Sequence, residues 1–181
     1  MKIKNTLFGL IMGVSLLASS QAQSAAYMKL GDIKGESQDD KHIDWINLLS
    51  VNWGVSRDVD TATRQSGPPI PDQFESSKEL DKSSPKLQEA CVVGTVIPLV
   101  EVEFTRSYGA TGAREVYLRY ELKNVLISSY SISASGYDGE VPEETFSLYF
   151  DEIRVIYSER DSTGKLTGTV ETTWNVQKGT T

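Results

Sequence analysis

The sequence predicts a mainly β protein, an antiparallel β-barrel or sandwich with one short flanking α-helix. Apolar and polar residues alternate along several segments, which is the period of a strand with one solvated face. Turns that contain glycine separate these segments at hairpin spacing. After the apolar N-terminal segment, helix start and stop signals occur together at one place, between Ser83 and Gly94.

The first 22 residues are predicted to be a signal peptide. Two early lysines precede an apolar run at residues 7–18, and small and polar residues follow. This order is typical of export signals, and the run is shorter than the roughly 20 residues of a membrane-spanning helix. Small residues fit cleavage between Ala22 and Gln23, or alternatively before Ala25.

The remaining domain, residues 23–181, is strongly acidic. The whole chain has 18 Lys and Arg against 25 Asp and Glu, a formal charge of −7. Removal of Lys2 and Lys4 with the signal makes this −9. Such a charge repels phosphate backbones and anionic lipid, so we expect neither nucleic-acid nor membrane binding. The one cysteine, Cys91, can form no intramolecular disulfide, so the domain depends on its core.

The N-terminal half of the domain is predicted to contain two strands and a long loop. The strands are residues 26–31 and 42–56, with a turn at residues 34–37. Residues 57–71 lack an apolar period and contain three prolines, so we expect no regular structure there. Loops of more than roughly 12–15 residues within a domain are usually functional or disordered.

A helix is predicted between Ser83 and Gly94. Ser83 or Ser84 can cap its N-terminus, and Pro85 suits the first turn, where its missing N–H has no cost. Gly94 can end it in a left-handed conformation. Its apolar side is formed by Leu87, Ala90 and Cys91.

An antiparallel hairpin is predicted around the glycine-containing loop at residues 108–112. Its inward-facing positions are Val100, Val102, Phe104, Val116, Leu118, Tyr120 and Leu122. Glu101, Glu103 and Glu121 are expected on the solvated face, where raised pKa values and acid/base chemistry are not expected. A further strand is predicted at residues 124–133.

The apolar residues of the next segment change parity. One set is Phe146, Leu148 and Phe150, and the other is Ile153, Val155 and Tyr157. Because a shift of one residue turns every side chain to the opposite face, we predict a β-bulge near Asp151 and Glu152. A turn at residues 161–164 leads to a last strand at residues 169–176, with Trp174 in the core.

Several segments match one known family in order and spacing. They are AYMKLGDIKGES at 26–37, WGVS at 53–56, LDKSSPKL at 80–87 with Ala90, Cys91 and Gly94, NVLISS at 124–129, residues 148–157, and WN at 174–175. Together they resemble the Hcp family, the tube proteins of bacterial type VI secretion systems. The resemblance spans nearly all of the mature chain.

The resemblance implies a protein that acts by assembly. In the family, six copies of a β-barrel with a flanking helix close into a ring, and rings stack into a hollow tube. The tube, whose family partners include a sheath, is propelled out of the cell and carries the spike and sometimes small effectors in its lumen. The long loop contributes to stacking, and its candidate contact residues here are Arg57, Arg64, Pro68 and Asp72. The implied location is extracellular, or periplasmic if the signal is used.

Two alternatives from other classes stay open. One is an exported Hcp-fold domain that serves as a periplasmic or surface binding module, and the other is a small hydrolase. The signal favours the first, because tube proteins normally reach the sheath from the cytoplasm. The signal could also be unused, or translation could start near Met28.

The chemistry-bearing residues do not indicate an enzyme or a cofactor. Cys91 and His42 would be the nucleophile and base, but one is predicted on the helix and the other at the start of a strand. We expect Cys91 to be a buried apolar residue and His42 to lie on the surface beside Asp44. One Cys and one His are too few for zinc, and the acidic run at residues 32–40 lacks EF-hand spacing.

Overall fold

The computed structural model describes residues 25–109, 112–136, 139, 141–176 and 179. Ala22, Gln23 and the rest of the predicted signal peptide lie outside the described residues. The strands are β1 Ala25–Leu30, β2 Ile46–Leu48, β3 Ser50–Asn52, β4 Val55–Val59, β5 Ser66–Pro71, β6 Phe74–Glu79, β7 Ile97–Tyr108, β8 Ala113–Ser133, β9 Glu143–Tyr149, β10 Glu152–Arg160 and β11 Leu166–Asn175. The helix, α1, is Ser84–Val93.

Nine strands form one antiparallel sheet that is folded over at β8. Its order is β2-β1-β7-β8-β9-β6-β3, and β10 pairs with β8 and carries β11. Residues 113–125 of β8 pair with β7, and residues 126–133 pair with β9. Asn124, at the change of partner, has a φ of 52°. What was predicted as a separate strand at residues 124–133 is therefore the second part of β8.

The fold is a sandwich of two layers that share β8. The first layer is β1, β2, β7, residues 113–125 of β8, β10 and β11; the second is residues 126–133 of β8 with β9, β6 and β3. The end strands β2 and β3 are joined through Leu49 but do not pair with each other, so the sheet is not closed as a barrel. The prediction of a mainly antiparallel β fold with one helix is confirmed, in its sandwich form.

The core lies between the two layers, and α1 covers one side of it. Leu87 and Ala90 of the helix are buried, and Cys91 is partly buried against the same cluster. Gly94 ends the helix at φ 72°, and its N–H donates to Ala90 O at 3.0 Å. The predicted helix is confirmed except for its cap. The hydroxyl of Ser83 does not cap the helix but donates to Asp81.

The predicted loop at residues 57–71 is wrong, because this segment forms the antiparallel ribbon β4–β5. The three prolines all lie on β5, which pairs on one side with β4. Proline is tolerated on such an edge strand, where the missing N–H leaves no ladder bond unmade. The predicted strand at residues 42–56 is also wrong as one element, since it is divided into β2, β3 and the start of β4.

The predicted β-bulge near Asp151 and Glu152 is wrong, although the change of parity is real. Phe150 and Ile153 are both buried, as the pattern requires. The chain leaves the second layer at the end of β9 and enters the first layer at β10, so the two parities belong to two strands. A crossing between layers and a bulge leave the same trace in the sequence.

The hairpin of β7 and β8 and that of β10 and β11 are confirmed. In the first, Val102 lies opposite Tyr120 and Phe104 opposite Leu118. In the second, the strand after the turn begins at Leu166, earlier than predicted, and Trp174 is partly buried against the core. Strand β6 was not predicted, because its buried positions include Ser76 and Lys78 as well as Phe74.

Residues 31–45 connect β1 with β2, and Gly35 is the tightest point of this connection. Its N–H donates to Asp44 O at 2.8 Å. A Cβ on this residue would lie 2.4 Å from Trp45 O and 2.6 Å from Ile46 Cα. These are backbone atoms, which cannot rotate away.

We predict that Gly35→Ala lowers the free energy of unfolding by about 1–3 kcal/mol, the usual cost of overpacking. Urea unfolding followed by tryptophan fluorescence would measure it. Gly136→Ala is the matched control, since a Cβ there meets nothing within 4 Å. Equal stability of the two variants would contradict the close approach at Gly35.

Candidate functional site: exposed assembly surfaces and buried ionic clusters

The ribbon, β4–β5 with its turn, is an exposed projection. Every residue of β4 is exposed, and Val55, Val59 and Ile70 are large apolar side chains left in solvent. At its base, Asp72 N–H donates to Gly54 O at 2.9 Å. Exposed apolar residues on a projecting element are typical of a contact surface.

The four candidate stacking residues are all exposed and distributed along the ribbon. Arg57 donates to Gly67 O across the two strands at 3.1 Å. Arg64 lies in the turn with a φ of 57°, and Pro68 lies on β5. Asp72 follows β5 at the base. The structure therefore spreads these residues from base to turn and does not gather them into one site.

The inner face of the first layer carries parallel rows of cross-strand neighbours. The second layer covers one end of this face. The row at that end is Leu30, Val100, Leu122, Ile153 and Trp174. Its first four members are almost completely buried. The row furthest from it is Ala26, Phe104, Leu118, Tyr157 and Val170.

This last row, which we call the uncovered row, is half-buried to exposed. Tyr157 is 48% exposed and Val170 is 60% exposed. Cross-strand neighbours share one face of a sheet. The first layer therefore presents an apolar edge of its core face to solvent, which is a candidate protein contact surface.

A second exposed apolar surface lies where α1 ends and β7 begins, and we call it the helix-end patch. It consists of Val92, Val93, Val96 and Leu99. Val92, at 83% exposure, is the least covered of them.

The outer face of the first layer is charged, and its ion pairs run from strand to strand. Glu121 on β8 pairs with Arg154 on β10 at 3.2 Å, and Arg154 pairs with Glu171 on β11 at 2.7 Å. Lys123 pairs with Glu152 at 2.6 Å. The two faces of this layer therefore differ sharply in chemistry, and the apolar edge is confined to the inner one.

A buried ionic cluster around Lys78 ties α1 to the second layer. The Lys78 side chain is 0% exposed, and its Nζ contacts the Glu144 carboxylate and lies 2.8 Å from Asp81 Oδ1. The Ser84 hydroxyl donates to Glu144 at 2.5 Å, as does the Tyr130 hydroxyl. These side chains come from β6, β9, β8 and the first turn of the helix, so the cluster fixes where the helix starts.

Two pKa values in this cluster are shifted. Burial and the hydrogen bond to the Glu144 carboxylate raise the pKa of Tyr130 to about 12. Burial would raise the pKa of Asp81, but hydrogen bonds from Lys78 and Ser83 hold it below its usual value. The tyrosine is thus a hydrogen-bond donor and the aspartate an anion at neutral pH.

His42 is the centre of a second cluster, and the expectation that it lies on the surface is wrong. Its side chain is 1% exposed. Nδ1 lies 2.6 Å from Asp39 Oδ1, and Nε2 lies 2.8 Å from Glu103 Oε2. The placement of Glu103 on a solvated face is wrong as well, since it is buried beside Arg119.

Nothing in the sequence around His42 indicated this arrangement. Asp39 is three residues away, but Glu103 is 61 residues distant and is brought close by β7. Both ring nitrogens are occupied by carboxylates, so His42 is not available as a base for Cys91. The structure does not join the two into a catalytic pair.

Within the described part of the chain, no group of three or more His, Cys, Asp or Glu side chains could hold a metal ion. Nor does any helix among the described residues have the length and apolarity to cross a membrane.

Comparison with known proteins gives consistent matches. The family model described as "Type VI secretion system effector, Hcp" matches residues 27–157. Protein hcp1 of Pseudomonas aeruginosa is 31% identical over 156 residues, which cover 84% of this chain and 94% of that protein. A solved structure of a type six secretion system protein is 27% identical with a TM-score of 0.80, covering 87% of this chain and 98% of that one. Hcp1 of Salmonella typhimurium shares the fold at 23% identity and a TM-score of 0.68, with coverage of 86% and 96%.

We predict that Lys78→Met lowers the free energy of unfolding by about 3–5 kcal/mol, because it leaves the buried Glu144 carboxylate without its cation. Replacing both residues, as Lys78→Met with Glu144→Leu, should recover part of this loss. Lys34→Met is the control, since the Lys34–Asp44 pair is solvent-exposed and such pairs contribute at most about 1 kcal/mol. Chemical denaturation of the four proteins would measure these values, and similar losses for Lys78→Met and Lys34→Met would refute the assignment.

Proposed function

The chain belongs to the Hcp family of type VI secretion proteins, and from this premise we propose that six copies close into a ring. It is accordingly a tube protein and a secreted protein of that system, and not an enzyme. Rings of this kind stack into a hollow tube. The observation that carries the proposal is the uncovered row, an apolar edge of the core face that a single copy leaves in solvent.

A closed ring needs two different surfaces on each copy, since a head-to-tail contact repeats around the ring. The uncovered row supplies one surface. We propose the helix-end patch as the other, because it is also apolar and contains the strongly exposed Val92. Contact between the two surfaces would remove both from water, and apolar burial stabilises association.

We propose that the ribbon makes the contact between rings. Its exposed apolar residues, Val55, Val59 and Ile70, support this role, and so does its projection from the sandwich. Arg57, Arg64, Pro68 and Asp72 are its candidate polar and turn contacts. Spike, sheath and small effectors are the proposed partners of the assembled tube.

For the N-terminal residues we propose a cleaved export signal, with Ala22 and Gln23 on either side of the cut. The order of basic, apolar and small residues in the sequence supports this proposal. The alternative function, a soluble binding module, is not favoured by membership of the family. Mass spectrometry of the protein from cells tests the proposed cleavage. A mature N-terminus at Gln23 or Ala25 is expected, and it would count against assembly within a cytoplasmic sheath. An intact N-terminus would refute cleavage and agree with assembly in the cytoplasm.

We predict that Val170→Asp weakens ring formation at least about tenfold, because desolvation of an unpaired carboxylate costs more than about 1.4 kcal/mol. Thr169→Asp is the matched control, because it adds the same charge at the neighbouring exposed position on the opposite face of β11. Light scattering across a concentration series gives the assembled fraction of each. Rings that form equally well in both variants would contradict the role of the uncovered row.

A second variant addresses stacking alone. Arg64→Glu in the turn of the ribbon should leave single rings intact and shorten the stacks seen by electron microscopy, since it reverses the charge at the proposed contact. Lys165→Glu, in the exposed turn between β10 and β11, makes the same charge change away from the ribbon. Stacks of unchanged length in the Arg64 variant would count against the ribbon.

A further inference from the structure

Residues 31–45, which we call the clasp loop, lie against the first layer. Ile33 packs against the core, and polar groups make the further attachments. Lys41 Nζ lies 2.8 Å from Arg114 O and 2.8 Å from Glu115 Oε1 on β8. The Tyr27 hydroxyl on β1 donates to Asp39 Oδ2 at 3.4 Å. His42 makes the deepest attachment from the loop, since its ring is buried, whereas Asp39 is only partly buried and Lys41 is exposed.

The geometry around His42 requires two ring protons. A neutral imidazole has one N–H, so it can donate to one carboxylate while its other nitrogen presents a lone pair. Here Asp39 Oδ1 and Glu103 Oε2 lie within 2.8 Å of the two nitrogens, and both carboxylates are acceptors. Only the imidazolium donates to both. Tyr27 stacks on the ring at 4.2 Å, and Trp45 meets its edge at 4.9 Å.

Charged groups from every adjoining element surround this site. On β8, Arg119 pairs with Glu103, and Arg114 lies 3.9 Å from Asp39. The Arg114 guanidinium also donates to the Tyr27 hydroxyl at 2.7 Å. Further out, Glu121 lies 3.8 Å from Arg119, while Glu115 is paired with Lys41. Among side chains, histidine has the ordinary pKa nearest neutrality, so His42 is the group in this cluster that can change its charge there.

We propose that His42 is a pH-sensitive latch: its imidazolium locks the clasp loop onto β1, β7 and β8, and loss of its proton releases the loop. Deprotonation would set a nitrogen lone pair against a buried carboxylate, and neither arginine can supply the missing N–H between them. This role does not depend on ring formation, and it concerns a segment distinct from the proposed assembly surfaces.

The direction of the pH dependence follows from the shifted pKa values. Burial lowers the pKa of His42, but the hydrogen bonds that its ring donates to Glu103 and Asp39, together with the negative charges of these carboxylates, raise it above its ordinary value. The latch is therefore fully closed below about pH 6.5 and opens as pH rises through the raised pKa. Burial raises the pKa of Asp39 and of Glu103, but bonds to His42 lower both overall. The contribution of these two carboxylates to the stability of the clasp loop is lost only as pH falls through their lowered pKa values.

The chain has one histidine, so the latch can be measured directly in untagged full-length protein. Nuclear magnetic resonance of the His42 imidazole should report both nitrogens protonated below pH 6.5 and a titration midpoint above 6.5. Over the same pH range, amide-exchange protection of Gly35, Ser37 and Asp44 should fall relative to amides of the ribbon. Comparison with the ribbon amides is needed because the exchange rate of every amide rises with pH.

Two variants make the test specific. Glu103→Gln should lower the His42 midpoint by about one pH unit or more, because an anion in direct contact is lost. Glu121→Gln is its control, since it lies on the same face but does not touch the ring, and it should leave the midpoint unchanged. Asp39→Asn repeats the test from the other nitrogen if the Glu103 variant folds poorly.

His42→Gln should remove the pH dependence of the clasp loop while the loop stays poorly protected throughout. A His42 midpoint at or below 6.5, or clasp-loop protection that is unchanged through the titration, would overturn the proposal.

Discussion

Everything in this fold depends on β8 belonging to two layers at once. The strand is 21 residues long, and its pairing changes from β7 to β9 after Val125, next to Asn124 with its positive φ. Because the second layer is attached at this point, it covers only one end of the first layer's inner face. The covered end becomes the core, and the other end becomes the uncovered row. One constraint thus provides both the stability of a single copy and the surface through which copies are proposed to associate.

Two buried ionic clusters hold the remaining parts in place. The Lys78 cluster positions α1 on the second layer, and the His42 cluster positions the clasp loop on the first. Buried charges are poor sources of net stability, since desolvation offsets their attraction. These clusters instead fix the relative positions of the elements that they join. A hydrogen-bonded carboxylate requires a defined geometry, whereas an apolar contact tolerates small displacements. We therefore regard both clusters as determinants of where elements sit, with His42 able to change state.

The elements that could be predicted are those that local patterns in the sequence encode. The alternation of Val102 and Phe104 with Tyr120 and Leu118 predicted a hairpin, and Pro85 with Gly94 predicted the ends of the helix. Elements in which tertiary contacts override a local preference could not be predicted in this way. Lys78 on β6 faces inward because Glu144 neutralises it, and the prolines of β5 are tolerated because that strand is an edge.

The candidate site was less accessible to prediction than the fold. Glu103 and His42 are far apart in sequence, and no spacing rule joins them. The uncovered row is invisible for a related reason: its residues alternate like core residues, and only the limited reach of the second layer leaves them exposed. Exposure of a patterned position is a property of the packing, and the pattern alone does not contain it.

The most direct test of the assembly account is a cryo-electron microscopy structure of the assembled ring. The account predicts that Tyr157 and Val170 are buried against a neighbouring copy. A ring in which both side chains remain in solvent would contradict it.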